Sequence, residues 1–387
     1  MQIIMRLTKF NRNTMAALAG AVERGLPVAL GSLIYHSEAM EELSLPTSDM
    51  FVFVYSFTTP GSDAAFMEFK YIRSHFKNAV ILAGGPHASG DPGSVIDAGA
   101  DYVVTGEGEA VFTSLLGSLA GGTAPARGII KGSAVDFSAY PPFPHADPGR
   151  ALYIELTRGC PYRCSFCQTS SIFGCNPRHR SIESVLSAAG RMLECGLNDL
   201  RFVTPNALSY GSGDGLTPAP DKLEMLLKEL RRLCLARNGR IFLGSFPSEI
   251  RPEFFTSELM NMLKKYVSND NVIIGAQSGS DSVLEAAGRL HGTQLIFKAV
   301  KTALESGFKV NVDFLFGFDE ESDDKEAMKS VDLMEKLLQT GARIHSHKLL
   351  PVAGTKYYDS SRIITINPLI LNFLHKNHGK GLVYGNF

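Results

Sequence analysis

No cysteine occurs in the first 150 of the 387 residues, and the whole sequence holds six. That absence removes a disulfide framework, and any second thiolate-held metal cluster, from the N-terminal part. An excess of one charge is also missing: 38 basic residues stand against 39 acidic ones, a net charge of -1. A broad nucleic-acid footprint needs a basic surplus, so no nucleic-acid partner is expected. No apolar run approaches the roughly 18 residues a membrane helix needs, so no membrane partner is expected. The opening MQIIMRLTKFNRN lacks the layout of a secretory signal. These absences lead to an expectation of a soluble, cytoplasmic protein, where clustered thiols serve metals or catalysis. Composition is ordinary for a globular chain, 44% hydrophobic and 20% charged, and the length suits two or three domains. There is no tandem repeat and no low-complexity tract.

The pattern along the chain is α/β. Over 1–120, short apolar runs at 3–7, 27–33, 51–56, 79–85 and 101–106 alternate with amphipathic stretches near 13–24, 63–75 and 108–119. Continuous apolar strands between helices predict a parallel sheet covered on both faces, a flavodoxin-like (Rossmann-type) domain with its ligand at the carboxyl ends of the strands. Residues 121–150, with GGTAPARG and SAYPPFPHADPGR, read as a linker. Alternation then resumes, with strands expected at 151–157, 199–205, 240–245, 271–277, 309–318 and 342–349 and helices at 181–195, 220–236, 254–265, 293–306 and 323–339. Six such units over 151–349 predict a partial (β/α)6 TIM-like barrel, again with its site at the carboxyl ends. Residues 350–387 read as a C-terminal appendage.

Three of the six cysteines fall within eight positions of one another, in ELTRGCPYRCSFCQTSS (155–171): Cys160, Cys164 and Cys167, spaced C-x3-C-x2-C. The stretch follows the first barrel strand and therefore sits at the mouth. Thiolates on a loop wrap soft metal centres. Structural zinc normally takes four protein ligands, whereas three leave one position open, as on an iron–sulfur cluster with one iron free of protein. A zinc site with Cys175 as fourth ligand stays as the alternative. Cys195 and Cys234 lie in helical patterns and read as buried small residues.

The cysteine spacing after the first strand of a βα barrel, with Phe166 before the last cysteine, resembles the radical S-adenosylmethionine (SAM) superfamily. The resemblance implies a [4Fe–4S] cluster on Cys160, Cys164 and Cys167, the open iron chelating SAM. It extends over 151–355. RFVTPNALSYG (201–211) resembles the motif for the SAM amino group, at Thr204, Pro205 and Asn206. LGSFPSEIRPE (243–253) places Ser245 and Glu249 where ribose or the methionine part would lie; a helix cap at Ser248 is the plainer reading. GAQSGSDSVLEAAGRLH (275–291) resembles a segment of members that also bind cobalamin, with Gln277 and Ser278 expected to face the mouth. VDFLFGFDEES (312–322) resembles the strand packing on adenine, with Phe314 as the contact, and HKLLPVAGT (347–355) resembles the closing strand.

LAGGPHAS (82–89) and VVTGEGEA (103–110) follow the fourth and fifth strands of the first domain. Glycine turns there admit a bulky ligand to the backbone. With the barrel downstream, the pair resembles the cobalamin-binding domain of cobalamin-dependent radical SAM enzymes. Gly84, Gly85 and Pro86 would line one side of the cobalamin slot, Gly106, Glu107 and Gly108 the other, and Ser56, Phe57 and Thr58 would reach the corrin side chains. His87 reads as a loop contact. The loop after the first strand, LTKFNRNTMAAL (7–18), has no histidine, so no histidine is expected below the cobalt.

The resemblance implies a methyltransferase acting on an unactivated sp3 carbon, using SAM both to methylate cobalamin and to generate a 5′-deoxyadenosyl radical, with an external electron donor. A rearrangement or cyclisation with the same cofactors, and a non-enzymatic cobalamin carrier or sensor, are the alternatives. Methylthio transfer is disfavoured, since it needs a second cluster. The compact length and the run GGPHASGDPGSVIDAGADYVVTGEGEA resemble a mainly archaeal subgroup that includes a glutamine C-methyltransferase of methyl-coenzyme M reductase, which implies a protein or peptide substrate.

Overall fold

The computed structural model describes residues 1–387 except 27–31, 46, 49, 146 and 360. The first half contains β1 (Gln2–Arg6), α1 (Arg12–Gly25), β2 (Leu33–His36), β3 (Phe51–Ser56), α2 (Ser62–His75), β4 (Ala79–Gly84), α3 (Gly85–Gly90), α4 (Pro92–Asp97), β5 (Tyr102–Thr105), α5 (Glu109–Ala120) and β6 (Gly128–Lys131). The sheet is parallel throughout, in the order β2-β1-β3-β4-β5-β6. Its sequence of strands reverses between β1 and β3, the switch point where such sheets open a crevice at their carboxyl ends.

Alternation along the strands builds two cores. Val52, Val54, Val80 and Leu82 pack with Met15, Val22, Phe112 and Leu115 of α1 and α5. Phe53, Tyr55, Ile81 and Ala83 point the other way, onto Phe69 and Ile72 of α2. Both faces are apolar, so the strands read as unbroken runs rather than as alternation. Of the strand expected at 27–33, residues 27–31 lie outside the described residues, and β2 begins at Leu33.

The second half contains β7 (Ile154–Glu155), β8 (Thr157–Arg158), α6 (Thr169–Phe173), β9 (Arg178–His179), α7 (Ile182–Glu194), β10 (Asp199–Val203), α8 (Pro220–Arg237), β11 (Arg240–Phe242), α9 (Ser257–Tyr266), β12 (Asn271–Gln277), α10 (Asp281–Ala286), α11 (Thr293–Glu305), β13 (Lys309–Phe316), α12 (Asp324–Gln339), β14 (Arg343–Lys348), α13 (Pro368–His378) and β15 (Val383–Gly385). Parallel sheets β11-β10-β7 and β12-β13-β14-β15 are joined edge to edge by an isolated bridge between Ile250 and Ile274. The result is an open barrel wrapped by α7, α8, α9, α11, α12 and α13, with one continuous core between strands and helices.

Two expectations about boundaries need correction. The stretch 121–150 is not structureless: Gly128–Lys131 pairs with β5 as the edge of the first sheet, and Phe137 is buried between the guanidinium groups of Arg158 and Arg180. The stretch 350–387 is not an appendage. Its β15 extends the barrel sheet beside β14, and the Ala353 N–H and the Tyr358 hydroxyl donate to Thr59 and Asp91 of the first domain.

Candidate active site between the two sheets

The cysteine loop is fixed from four sides. The Cys160 N–H donates to the Gly174 carbonyl, the Ser165 N–H to the Ala287 carbonyl, the Lys356 N–H to the Ser165 carbonyl, and Phe166 packs edge-on against Phe318. Gln168 donates to the carbonyls of both Pro86 and Ala353. One amide therefore ties the loop to the glycine turn of the first domain and to the C-terminal segment.

Burial pushes the Cys160 thiol up to about 11, against a hydrogen bond from the Tyr162 backbone, and proximity to Cys167 and Cys164 adds to the shift. The groups around Cys164 oppose that cost. Arg251 and Arg289 each place a guanidinium nitrogen on its sulfur, at 3.8 and 3.7 Å. Both arginines are buried. Arg251 lies over the Tyr162 ring, 3.4 Å from its centre, and pairs with Glu253 at 2.8 Å. Although burial disfavours its charge, the His291 hydrogen bond and Arg251 hold Glu253 down at about 2. Three thiols on one loop beside two buried cations suit an anionic thiolate cluster. Cys175 contacts the Arg163 side chain at 2.9 Å; Cys234 is fully buried, as expected, and Cys195 is exposed rather than buried.

The barrel mouth holds an unusual concentration of buried polar atoms without partners: Asn206 Nδ2, Ser245 Oγ, Arg251 Nε, Arg289 Nε and Glu253 Oε2. A buried donor or acceptor left unpaired costs about 1–3 kcal/mol, and a polar ligand at the mouth would satisfy this set. Asn206 and Ser245 are two of the residues the SAM resemblance singled out. Thr204 turns its hydroxyl back onto the Asn206 carbonyl, and Pro205 follows in the same turn. Glu249 reaches across the lumen over Gly275, where any Cβ would collide with its carboxyl group, and accepts from Gln277 at 3.2 Å. Burial raises the Glu249 pKa, with Arg289 partly offsetting it.

Two barrel expectations fail on strand parity. Ser278 is fully buried and bonds to Glu321 and Ser330 behind the sheet, so Gln277 faces the lumen and Ser278 does not. Phe314 is fully buried in the core between strands and helices, stacked on Phe316. Leu315, which packs near Phe166 and Phe318, is the side chain of that strand turned towards the cysteine loop.

Between the two sheets lies a cavity of about 750 Å³, within the usual range for ligand sites. Ser56, Gly84, Gly85, Pro86, Gly106, Glu107 and Gly108 line it from the first domain; Glu155, Arg158, Phe173 and Val203 line it from the barrel side. Gly85 has φ +90 and a Cβ there would strike Ser56 Oγ, so the turn stays low and the strand ends stay open. That is a cradle for a large ligand laid on backbone. Lys9, Phe10, Arg12 and Asn13, from the loop after β1 and the start of α1, close one side, and the described lining residues carry no imidazole.

Three expected contacts of the first domain do not reach this cavity. Phe57 is buried among Phe66, Phe69 and His87. Thr58 is exposed outside the cavity lining. His87 is 2% exposed, beside Thr59 and Ser94, with its pKa lowered by burial. It is a neutral core side chain of the turn, not a ligand contact.

Sequence reasoning missed a buried charge network that joins the halves. Arg158 donates to Glu107, Glu109 and Glu155 at 3.0, 2.5 and 2.9 Å, and Arg178 pairs with Glu107 as well. Burial opposes charge on Arg158, yet Glu155 and Glu109 outweigh it and raise its pKa. The Glu107 side chain is thus an interdomain strut. Its partners lie 51 and 71 residues away in sequence, which no local pattern reveals.

Residues 154–331 match the model of the radical SAM superfamily. Among curated relatives, an uncharacterised protein of Methanopyrus kandleri is 24% identical over 334 residues, covering 71% of this chain and 61% of its own length. The hopanoid C-2 methylase of Rhodopseudomonas palustris is 25% identical, covering 64% and 46%. The chain thus spans less than two thirds of these relatives. Among solved structures, the radical SAM methyltransferase TsrM of Kitasatospora setae, with cobalamin and a [4Fe–4S] cluster bound, superposes with a TM-score of 0.64 at 16% identity, over 92% of this chain and 74% of that one. The cobalamin-dependent SAM radical enzyme OxsB, with aqua-cobalamin and SAM bound, gives 0.63 at 15% over 99% and 61%. Residues 154–331 therefore match a radical SAM domain, and the chain, with its N-terminal α/β sheet, shares the fold of TsrM and OxsB.

Proposed function

We propose that this chain is a cobalamin-dependent radical SAM methyltransferase that acts on an sp3 carbon, with a [4Fe–4S] cluster, SAM and cobalamin as its cofactors. The observation that carries the reading is the cavity between the sheets, lined by the glycine turns of the first and by Glu155, Arg158, Ile172 and Phe173 on either side of the cysteine loop, with Gln168 of that loop bonded to Pro86 of the turn. Bound there, these cofactors would supply reductive SAM cleavage and methyl transfer, with electrons from an external donor.

The chain's own residues have distinct parts in this reading. Cys160, Cys164 and Cys167 hold the cluster, and Arg251 and Arg289 set two guanidinium groups against Cys164 Sγ. Asn206, Ser245 and Glu249 offer unpaired or strongly desolvated polar atoms to SAM. Gly85 keeps the cobalamin cradle open. The Glu107–Arg158 strut holds the two halves at a fixed separation, which a reaction joining groups from two cofactors requires. A methylthio-transfer reading, suggested by relatives such as the tRNA-2-methylthio-N(6)-dimethylallyladenosine synthase of Desulfosudis oleivorans (27% identical over 212 residues), lacks thiols for a further cluster in residues 1–150.

The acceptor proposed is the alpha carbon of a glutamine in a peptide, with methyl-coenzyme M reductase as the source protein; it rests on the subgroup resemblance. SAM carrying a deuterated methyl group, a reductant and a glutamine peptide beside its alanine twin test it by mass spectrometry. Label in the glutamine peptide alone is expected; label in neither removes the peptide acceptor, and product without 5′-deoxyadenosine removes the radical route.

A further inference from the structure

The lumen-facing side chains of the last barrel strands have no part in the reaction proposed above. Asp313 on β13 and His345 on β14 are register partners, and His347, two residues further on, shares the face of His345. Val312, Phe314, Phe316 and Ile344 fill the core on the helix side, so these three point into the lumen. Glu249, which lies over Gly275 in that lumen, feels the charge of Asp313.

Three potential ligand side chains converge there. His345 Nδ1 lies 3.0 Å from Asp313 Oδ1 and 3.0 Å from His347 Nε2, and His347 Nε2 lies 3.6 Å from Asp313 Oδ2. A hydrogen bond from His345 Nδ1 to Asp313, with the His347 Nε2 lone pair turned to the same proton, suits the cluster when it is empty. A divalent cation at the point of convergence would take all three groups as ligands at once. Zinc-type bonds to imidazole and carboxylate are about 2.0–2.2 Å, which sets neighbouring ligand atoms about 2.9–3.6 Å apart, the spacing seen. The Tyr384 ring stacks on His345 with centroids 4.4 Å apart and fixes its orientation, as supporting partners of a metal ligand do. Among the described residues this is the one group of three His, Cys, Asp or Glu side chains so arranged. The side chains of Asp313, His345 and His347 are 16%, 25% and 40% exposed, so an ion and an outside ligand can reach them.

We propose that Asp313, His345 and His347 bind one divalent transition-metal ion, of the zinc or ferrous class that two imidazoles and a carboxylate select, with its remaining positions open to water or a substrate oxygen. The test uses untagged, cluster-reconstituted full-length protein, stripped with a chelator and equilibrated with Zn2+ alone; zinc and iron are counted by mass spectrometry and the zinc ligands read by X-ray absorption. The expected result is a single Zn2+ per chain with nitrogen and oxygen neighbours. It should be lost in Asp313→Asn and His347→Gln without loss of iron, and kept when Cys160, Cys164 and Cys167 are all replaced by Ala. Sub-stoichiometric zinc in the wild type, sulfur in its ligand shell, or zinc that survives both lumen substitutions overturns the proposal. Should either variant fail to fold, the wild-type ligand shell decides alone.

Discussion

Arg289 carries the account at the scale of single residues. It donates to Cys164 Sγ and, at 2.5 Å, to the Gly275 carbonyl. Replacing it by Met removes a positive charge next to a buried cysteine sulfur. The cluster is then expected to be harder to reduce, its midpoint potential falling on the order of 50 mV; a spectroscopic redox titration measures it, and an unmoved potential would show that this guanidinium does not face the cluster. Glu321 gives a pH signature of a different kind. Burial pushes its carboxyl up to about 7, against hydrogen bonds from Gly317 and Ser278. A raised acid pKa means the folded state holds the proton more tightly than the unfolded one. Stability is therefore full below the unfolded value near 4.5 and declines as pH rises from there towards 7. The shift corresponds to about 3 kcal/mol. Denaturant unfolding at pH 5 and 7.5 should show that decline in the wild type and a flatter profile in Glu321→Gln; parallel profiles would contradict it. Neither residue was singled out by the sequence. Arg289 lies 125 residues from its cysteine, and Glu321 owes its shift to burial, which exists only once β12, β13 and α12 are packed together.

Among elements, the strands with continuous apolar runs, β3, β4 and β12, stood out in the sequence because both of their faces are covered, and β13 stood out by its alternation of buried and half-buried positions. The short strand β6 did not. Its sequence GIIK is bounded by Gly and Lys and alternates between half-buried and exposed positions, which leaves little signal inside a Pro- and Gly-rich stretch. Strand parity was the second loss. The segment at 312–318 was legible as a strand, but the choice between Phe314 and Leu315 as the site contact depended on which face the helices cover. The same loss put Ser278 beside Gln277 at the mouth. Glycines at the turns, by contrast, were readable and remain testable. Gly85→Val must force a branched side chain into a left-handed turn against Ser56. Cobalamin retained after gel filtration is expected to fall at least tenfold, a cost of about 1.4 kcal/mol or more, while iron content holds. Undiminished cobalamin would move the binding site away from this turn.

The whole molecule depends on a polar seam. Glu107 bridges Arg158 and Arg178 across the boundary between the two sheets and also accepts the Val135 N–H. Truncating it to Ala leaves Arg158 buried with less compensation, and such a loss costs roughly 3–5 kcal/mol. Glu107→Ala should lower the denaturant midpoint accordingly, and a loss under 1 kcal/mol would show that the seam is not what docks the halves. Domain order, the barrel and the thiol motif were all legible in the sequence because each is written in contiguous residues. The seam, the Gln168 bridge and the closing strand β15 were not, since each pairs segments far apart in the chain. These long-range contacts set the cysteine loop beside the interdomain cavity, and the central proposal is that this cavity holds cobalamin next to a SAM-cleaving cluster on that loop. The most direct measurement is a single anaerobic reaction of protein reconstituted with iron, sulfide and cobalamin, given SAM and a reductant, with 5′-deoxyadenosine and S-adenosylhomocysteine quantified together. Both products should form in the wild type, and 5′-deoxyadenosine should vanish when Cys160, Cys164 and Cys167 are replaced by Ala. Neither product from the wild type, or undiminished 5′-deoxyadenosine from the triple variant, would contradict the account.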